Sequence, residues 1–203
     1  MKKAFLLVTI LFVSVISTAC INNFAVQELN NKAKTYLDQG DFENAISRLK
    51  SSVDLDSTIF ETHYNLGIAY TQAEKFPEAV ETFKNAIKLK PDFADTYYSL
   101  AVAQENYAKG VIDGSIKDKG KADDAKETAK EEKVTENSDA TKAEKKLTKE
   151  EKAQVADLFN ESIKSYEAYL EKGKDIQDKK DVEDKIEYLK VQIEKYSPTT
   201  ASN

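Results

Sequence analysis

From Phe60 onward, apolar residues recur three and four apart, break over a short polar stretch, and then resume with the same period. Phe60, Leu66, Gly67 and Tyr70 share one face of a predicted first helix, and Ala79, Phe83 and Ala86 one face of a second. Gly67 and Ala79 are small where two antiparallel helices would cross closely. Tyr70 and Phe83 are large enough to fill the space on either side of that crossing. Pro77 falls in the first turn of the second helix, where a missing N–H costs nothing. Pro91 closes the unit, because proline cannot continue a helix. One such hairpin cannot bury its apolar stripe alone, so neighbouring units are required.

The pattern repeats when shifted by 34 residues in either direction. Backward, from about Val26, Ala33, Tyr36 and Ala45 stand in the places of Gly67, Tyr70 and Ala79, and Leu49 and Val53 follow. Leu29 takes the place of His63, and Gly40-Asp41 makes the turn, with glycine as a left-handed stop. Thr58-Ile59-Phe60-Glu61 reads as a capping box opening the second unit. Forward, Asp92 is the expected N-cap of a third first-helix with Tyr97, Leu100 and Ala101, and Gln104 replaces Tyr70. The second half of that third unit reappears only at Glu161–Leu170, where Ser162, Tyr166 and Tyr169 replace Ala79, Phe83 and Ala86. Leu66 and Ala79 are 13 residues apart, whereas Leu100 and Ser162 are 62 apart, so the third unit carries a 49-residue insertion.

Lysine and acid alternate in the insertion in equal measure, and it holds no aromatic residue after Lys117. Such a composition buries too little apolar surface to offset the entropy of ordering, so disorder is expected. Within it, Ala122–Val134 has the makings of a transient helix. Order is expected to resume at a second capping box, Thr148 to Glu151. The helix it opens runs to about Lys172, carries Val155, Phe159, Ser162, Tyr166 and Tyr169 on one face, and is ended by Gly173. Val182, Ile186, Leu189, Ile193 and Tyr196 then mark one amphipathic helix, suited to covering the last exposed face.

The spacing of Leu66-Gly67, Tyr70, Ala79, Phe83, Ala86 and Pro91 resembles the tetratricopeptide (TPR) repeat, a 34-residue helix–turn–helix unit. The resemblance implies an all-α helical solenoid of about three repeats plus a C-terminal capping helix. The chain then divides into a signal segment over 1–19, repeats 1 and 2 with the first helix of repeat 3 over 24–108, and a charged insertion over 109–147. The second helix of repeat 3 and the cap follow over 148–196, with a tail over 197–203.

Nothing in the sequence matches an enzyme. There is no glycine-rich phosphate loop and no Cys/His metal spacing, and no serine or cysteine has a histidine in pattern. His63, the single histidine, reads as a packing substitute at the start of its helix. Asp54-Leu55-Asp56 lacks the glycine and later glutamate of a calcium loop. With 30 basic against 36 acidic residues, and Arg48 as the one arginine, the chain has no phosphate-reading cluster. No cofactor, no metal and no nucleic-acid partner is expected.

The TPR resemblance implies instead a concave groove, lined by the first helix of each repeat, that holds a peptide or helix of another protein. Helical phase assigns Gln27, Asn30, Asn31 and Lys34 to it from the first repeat. The second contributes Glu61, Tyr64, Asn65, Ile68, Thr71 and Gln72, and the third Asp95, Tyr98, Ser99 and Val102. Tyr64, Ile68, Tyr98 and Val102 recur at one phase and read as an apolar stripe on that face. Family members that clamp a C-terminal carboxylate do so with Lys/Arg and Asn. Here Lys34 and Asn65 are present, but Asp95 and Ser99 stand where bases are needed. No carboxylate clamp is expected, and the groove suits a neutral, partly apolar segment.

At the N-terminus, Lys2-Lys3 precede an apolar run over Ala4–Ile16, too short to span a bilayer comfortably, and then Ser17-Thr18-Ala19-Cys20. This arrangement resembles a bacterial lipoprotein signal, which implies lipidation of Cys20, the only cysteine. The other reading is a secretory signal cut after Ala19. Ile21 after the cysteine points by the same resemblance to the outer membrane, with a periplasmic or surface-facing protein. These features together read as a membrane-anchored interaction scaffold of the cell envelope. The alternative is a periplasmic ligand-binding subunit of a transporter, and a further possibility makes the charged insertion a working arm. Growth on labelled palmitate is expected to label the wild-type chain and not Cys20→Ala; an unlabelled wild type removes the lipoprotein reading.

Overall fold

The computed structural model describes residues 23–116 and 147–197. These residues form helices and no strand: α1 over 23–38, α2 (Phe42–Leu55), α3 (Phe60–Gln72), α4 (Phe76–Leu89), α5 (Ala94–Asp113), α6 (Lys149–Lys172) and α7 (Lys179–Tyr196). Each helix packs on its neighbour in sequence, and α3 also touches α5, as expected when first helices of successive hairpins stack side by side. The signal segment, Cys20 and most of the charged insertion lie outside the described residues.

The central hairpin shows why its residue types are needed. A Cβ at Gly67 would lie 2.6 Å from a ring carbon of Phe83, which is fully buried. The approach of α3 to α4 therefore leaves no room for even a methyl group without displacing the ring. The turns follow the same register. Gly40 takes φ +75° between α1 and α2, and Glu74, 34 residues on, takes φ +57° between α3 and α4. Outside glycine that left-handed backbone costs about 1–2 kcal/mol, offset by the packing of the two helices it joins. Asp41 caps α2, accepting from the Asn44 amide at 3.2 Å, and Pro77 sits in the first turn of α4.

Two expected caps are corrected. Thr58 does not cap α3; its hydroxyl and amide both donate to Asp56 Oδ1, at 2.6 and 2.9 Å, and the helix starts after Ile59 without a side-chain cap. Those bonds hold the Asp56 carboxyl below its usual range and fix the link between hairpins. Likewise α5 starts after Phe93, not at Asp92. In both cases an apolar residue fills the cap position, and packing sets the start of the helix. The Thr148 capping box is present, Glu151 N donating to the threonine hydroxyl and Thr148 N to the Glu151 carboxylate.

Between the first and second hairpins lies a small polar joint. Thr62 is fully buried; its hydroxyl receives the Asn30 amide at 2.9 Å and lies 3.4 Å from Ser52 Oγ. Ser52 thus takes the register of Ala86, while Val53 is only half-buried. One repeat later, Thr96 is equally buried, but Tyr64 and Ala86 stand where Asn30 and Ser52 do, and the Thr96 hydroxyl has no partner among the described residues.

The third hairpin holds the largest core. Ser162 faces Ala101 and donates to its carbonyl at 2.9 Å, while Tyr166 fills the place of Phe83 with no exposed surface. Gln104, in the place of Tyr70, exchanges that ring for polar contacts: it donates to Glu161 and accepts from Ser165 at 2.8 Å. The helices also continue past the point where the other hairpins turn. The register of Gly40 and Glu74 falls on Ala108, which is buried mid-helix, and α5 runs on to Asp113 with Val111 buried in the same core as Val155 and Ala156. The insertion therefore begins later than the expected residue 109. Lys109 is salt-bridged to Glu105, and Gly110 is covered by Ile116.

The capping helix α7 buries Val182, Ile186, Leu189 and Tyr196, as its pattern predicts. Lys185 reaches the buried Glu105 at 3.5 Å and lies over the Tyr166 ring, tying cap to core. Burial alone would raise the Glu105 carboxyl; the bond and charge of Lys109, the charge of Lys185 and the Tyr166 hydroxyl together hold it below its usual range.

The two threonines give opposite expectations for one substitution. Thr62→Val leaves Asn30 and Ser52 short of a partner and is expected to cost about 1–2 kcal/mol in urea unfolding. Thr96→Val removes an unpaired buried hydroxyl and is expected to be neutral or stabilising by up to about 1 kcal/mol.

Candidate functional site

The candidate surface is built from α1, α3 and α5, which place chemically matched side chains in register. Asn31, Asn65 and Ser99 form one row and Lys34, Ile68 and Val102 another, each 34 residues apart. Gln27, Asn31, Lys34, Glu61, Gln72 and Asp95 are exposed, and Asn65, Ile68, Ser99 and Val102 are half-buried. Asn30 is not free: it is spent on the joint with Thr62. Thr71 donates to the Gly67 carbonyl within its own helix at 2.9 Å.

The expected apolar stripe is largely drawn into packing. Tyr64 stacks on Phe60 at 5.8 Å between ring centres, meets Phe93 edge-on at 5.6 Å and lies 6.1 Å from Phe83. Ile68 packs against the core of Ala79, Phe83 and Leu100, and Val102 against that of the third hairpin. Tyr98 contacts Tyr166 and Tyr169 edge-on, at 5.6 and 5.2 Å. The Tyr169 hydroxyl donates to Asp178 at 3.0 Å; burial first, then that carboxylate, pushes its pKa up to about 12. Other rings therefore cover part of both groove tyrosines, which are half-buried. What remains exposed on the face is Asn31 and Lys34 on α1, Glu61 and Gln72 on α3 and Asp95 on α5.

Phase reasoning did not assign Phe60, Phe93, Lys90 or Tyr169 to this surface. The signal for Phe93 was its register with Ile59, an apolar residue just ahead of each first helix. The signal for Tyr169 was a large ring where the pattern has Ala86. His63 is buried, and its Nε2 lies 2.9 Å from the Ser57 carbonyl, which can only accept, so that nitrogen carries the proton and is engaged. No group of His, Cys, Asp and Glu among the described residues is arranged to hold a metal ion. No helix among them is long and apolar enough to cross a membrane.

The TPR repeat model matches residues 33–73 and 69–106, the span from the first hairpin into α5. This span is built of TPR repeats. Solved TPR domains share its fold at low identity. The first TPR domain of human RPAP3 superposes with a TM-score of 0.55 at 17% identity, over 84% of this chain and 95% of that one. The first TPR of Spaghetti (RPAP3), bound to the HSP90 peptide SRMEEVD, gives 0.54 at 15% identity over 83% and 93%. The second TPR domain of human RPAP3, in complex with the HSP70 peptide SGPTIEEVD, gives 0.54 at 12% identity over 83% and 98%. No curated protein sequence matches the chain. The TPR model stops within α5, because the third repeat departs from the spacing where its helices lengthen.

The division between packing and open positions is measurable. Tyr98→Ala should lower stability by roughly 1–3 kcal/mol, less than a fully buried ring because it is only half-covered. Asn65→Ala and Gln72→Ala should stay within about 0.5 kcal/mol of wild type, as surface changes do.

Proposed function

We propose that this TPR protein is a scaffold of the bacterial cell envelope, anchored to the outer membrane through a lipid on Cys20, that holds a segment of another protein on the face of α1, α3 and α5. The observation that carries the binding half is the in-register row of Asn31, Asn65 and Ser99 beside Ile68 and Val102. Amides that donate and accept suit a peptide backbone, and half-buried aliphatic groups suit its side chains. The TPR domains that match in fold, in complex with HSP90 and HSP70 peptides, support a protein partner over a small molecule. The anchoring half is supported by the signal-like N-terminus and its single cysteine.

A photo-crosslinking side chain placed at Asn65 or Gln72 in living cells should capture a discrete partner, while the same group at Lys50 or Tyr188, on other surfaces, should not. Equal capture from all four positions, or capture only from Lys50 or Tyr188, would move the binding surface elsewhere.

A further inference from the structure

Exposed apolar side chains gather at one end of the stack. Short turns join the helices within the first two hairpins and between hairpins, and α5 and α6 also run antiparallel, with Tyr107 beside Gln154 and Tyr97 beside Lys172. The starts of α1, α3, α5 and α7 therefore share one end with the finishes of α2, α4 and α6. At that end Phe24 is 70% exposed, Leu55 43% and Leu89 39%. Leu55 and Leu89 are the last residues of α2 and α4 and hold one register, 34 residues apart. Among the described residues no large apolar side chain is exposed at the opposite end, and the other two exposed ones, Tyr188 and Val191, lie midway along α7.

The start of α1 is also where a lipid on Cys20 would hold the chain. Two residues separate Cys20 from Asn23, the first described residue of α1. Three extended residue steps reach at most about 11 Å, so Phe24 cannot be far from the bilayer surface. Charges at this end are mixed, with Lys88, Lys90 and Lys172 among Asp54, Asp92 and Glu171. Lys90 lies 4.9 Å from the ring centres of both Phe60 and Phe93, and Lys172 lies 5.5 Å over Tyr97, so both ammonium groups rest on apolar surface. Such an edge suits zwitterionic headgroups, which offer both signs, and has no excess of bases to draw it to anionic lipid.

We propose that the anchored chain stands with this end on the bilayer, Phe24, Leu55 and Leu89 entering the headgroup layer of a zwitterionic lipid surface. This rests on the anchor reading above and adds the orientation of the stack. The lipid already keeps the chain at the membrane, so a modest apolar gain decides which side meets it. The 20 residues of α5 then rise about 30 Å from the surface and carry the insertion away from it. The row of Asn31, Asn65 and Ser99 crosses the helices and so runs parallel to the bilayer.

The lipidated chain, purified from membranes, would be reconstituted into phosphatidylcholine vesicles in which a share of the lipid carries a nitroxide near the headgroup. The lipid takes up the sulfur of Cys20, so Ser57→Cys or Asp92→Cys at the anchored end, and Gln39→Cys or Glu150→Cys at the far end, each give one site for a fluorophore. Labels at Ser57 and Asp92 should be quenched about 2-fold or more, and labels at Gln39 and Glu150 less than about 1.2-fold. Phe24→Ser/Leu55→Ser/Leu89→Ser should lose most of that contrast, with helicity and attachment unchanged. Equal quenching at all four positions, stronger quenching at the far end, or a triple variant that keeps the contrast overturns the orientation while the anchor stands. A contrast that appears only when phosphatidylglycerol is added overturns its apolar basis. A chain that carries no lipid on Cys20, and stays in solution when the vesicles are floated, removes anchor and orientation together.

Discussion

The fold depends on α5 and α6 finding each other across a long separation in sequence. Their contact through Ala101, Ser162 and Tyr166 repeats what Gly67, Ala79 and Phe83 do in the central repeat, but the partners are 61 residues apart at Ser162 and the Ala101 carbonyl. Closing a longer connection costs little more than closing a short one, roughly 2 kcal/mol when a few residues become about 35. The third core outweighs that, with Val155, Phe159, Tyr166 and Leu189 all nearly or fully buried. Without this pairing α7 would have nothing to cover, and the stack would end on the exposed apolar side of α5.

Within the stack, the joints between repeats are chemically unequal. The first is polar, built on Asn30, Thr62 and Ser52; the second is aromatic, built on Tyr64, Phe60, Phe83 and Phe93. The same register thus serves hydrogen bonding at one level and ring packing at the next. Tyr64 occupies the place of Asn30, and by filling it leaves Thr96 without a partner among the described residues. The binding face inherits this difference, since its α1 edge carries amides and a lysine while its α5 edge is backed by rings.

Much of this was legible in the sequence because the TPR pattern encodes sterics directly. Small residues at Gly67 and Ala79, large ones at Phe83 and Tyr166, and the amphipathic row from Val182 to Tyr196 each specify one packing arrangement. Less legible was anything decided by competition between neighbours. Thr58 has the chemistry of a cap, but Asp56, two residues earlier, takes its hydroxyl first. Asp92 loses to Phe93 because an apolar residue at that point packs against Tyr64. The composition shift at Lys109 looked like the start of the insertion, yet Glu105 and Ile116 supply the partners that keep α5 helical through it. For the binding face, phase separated positions used in the repeat pattern from those left over, but it could not show that Tyr64, Tyr98, Ile68 and Val102 are half-claimed by rings and core residues from other turns. Phase did place Gln72 among the positions that packing leaves exposed, while Asn65 is half-buried beside it.

The overshoot of the third hairpin has a consequence for how this protein can change over time. Relative to α3, α5 gains seven residues, about 10 Å of helix, before the chain leaves it, and α6 is likewise lengthened at its start. Whatever sequence joins them is attached at the end of a packed stalk, away from the repeat joints and from the face that carries Asn65. Additions, deletions or whole grafted modules at that point would be felt by Val111, Val155 and Ile112, and hardly by the repeats. The long connection is thus a place where the gene can vary in length while the geometry of the scaffold stays fixed.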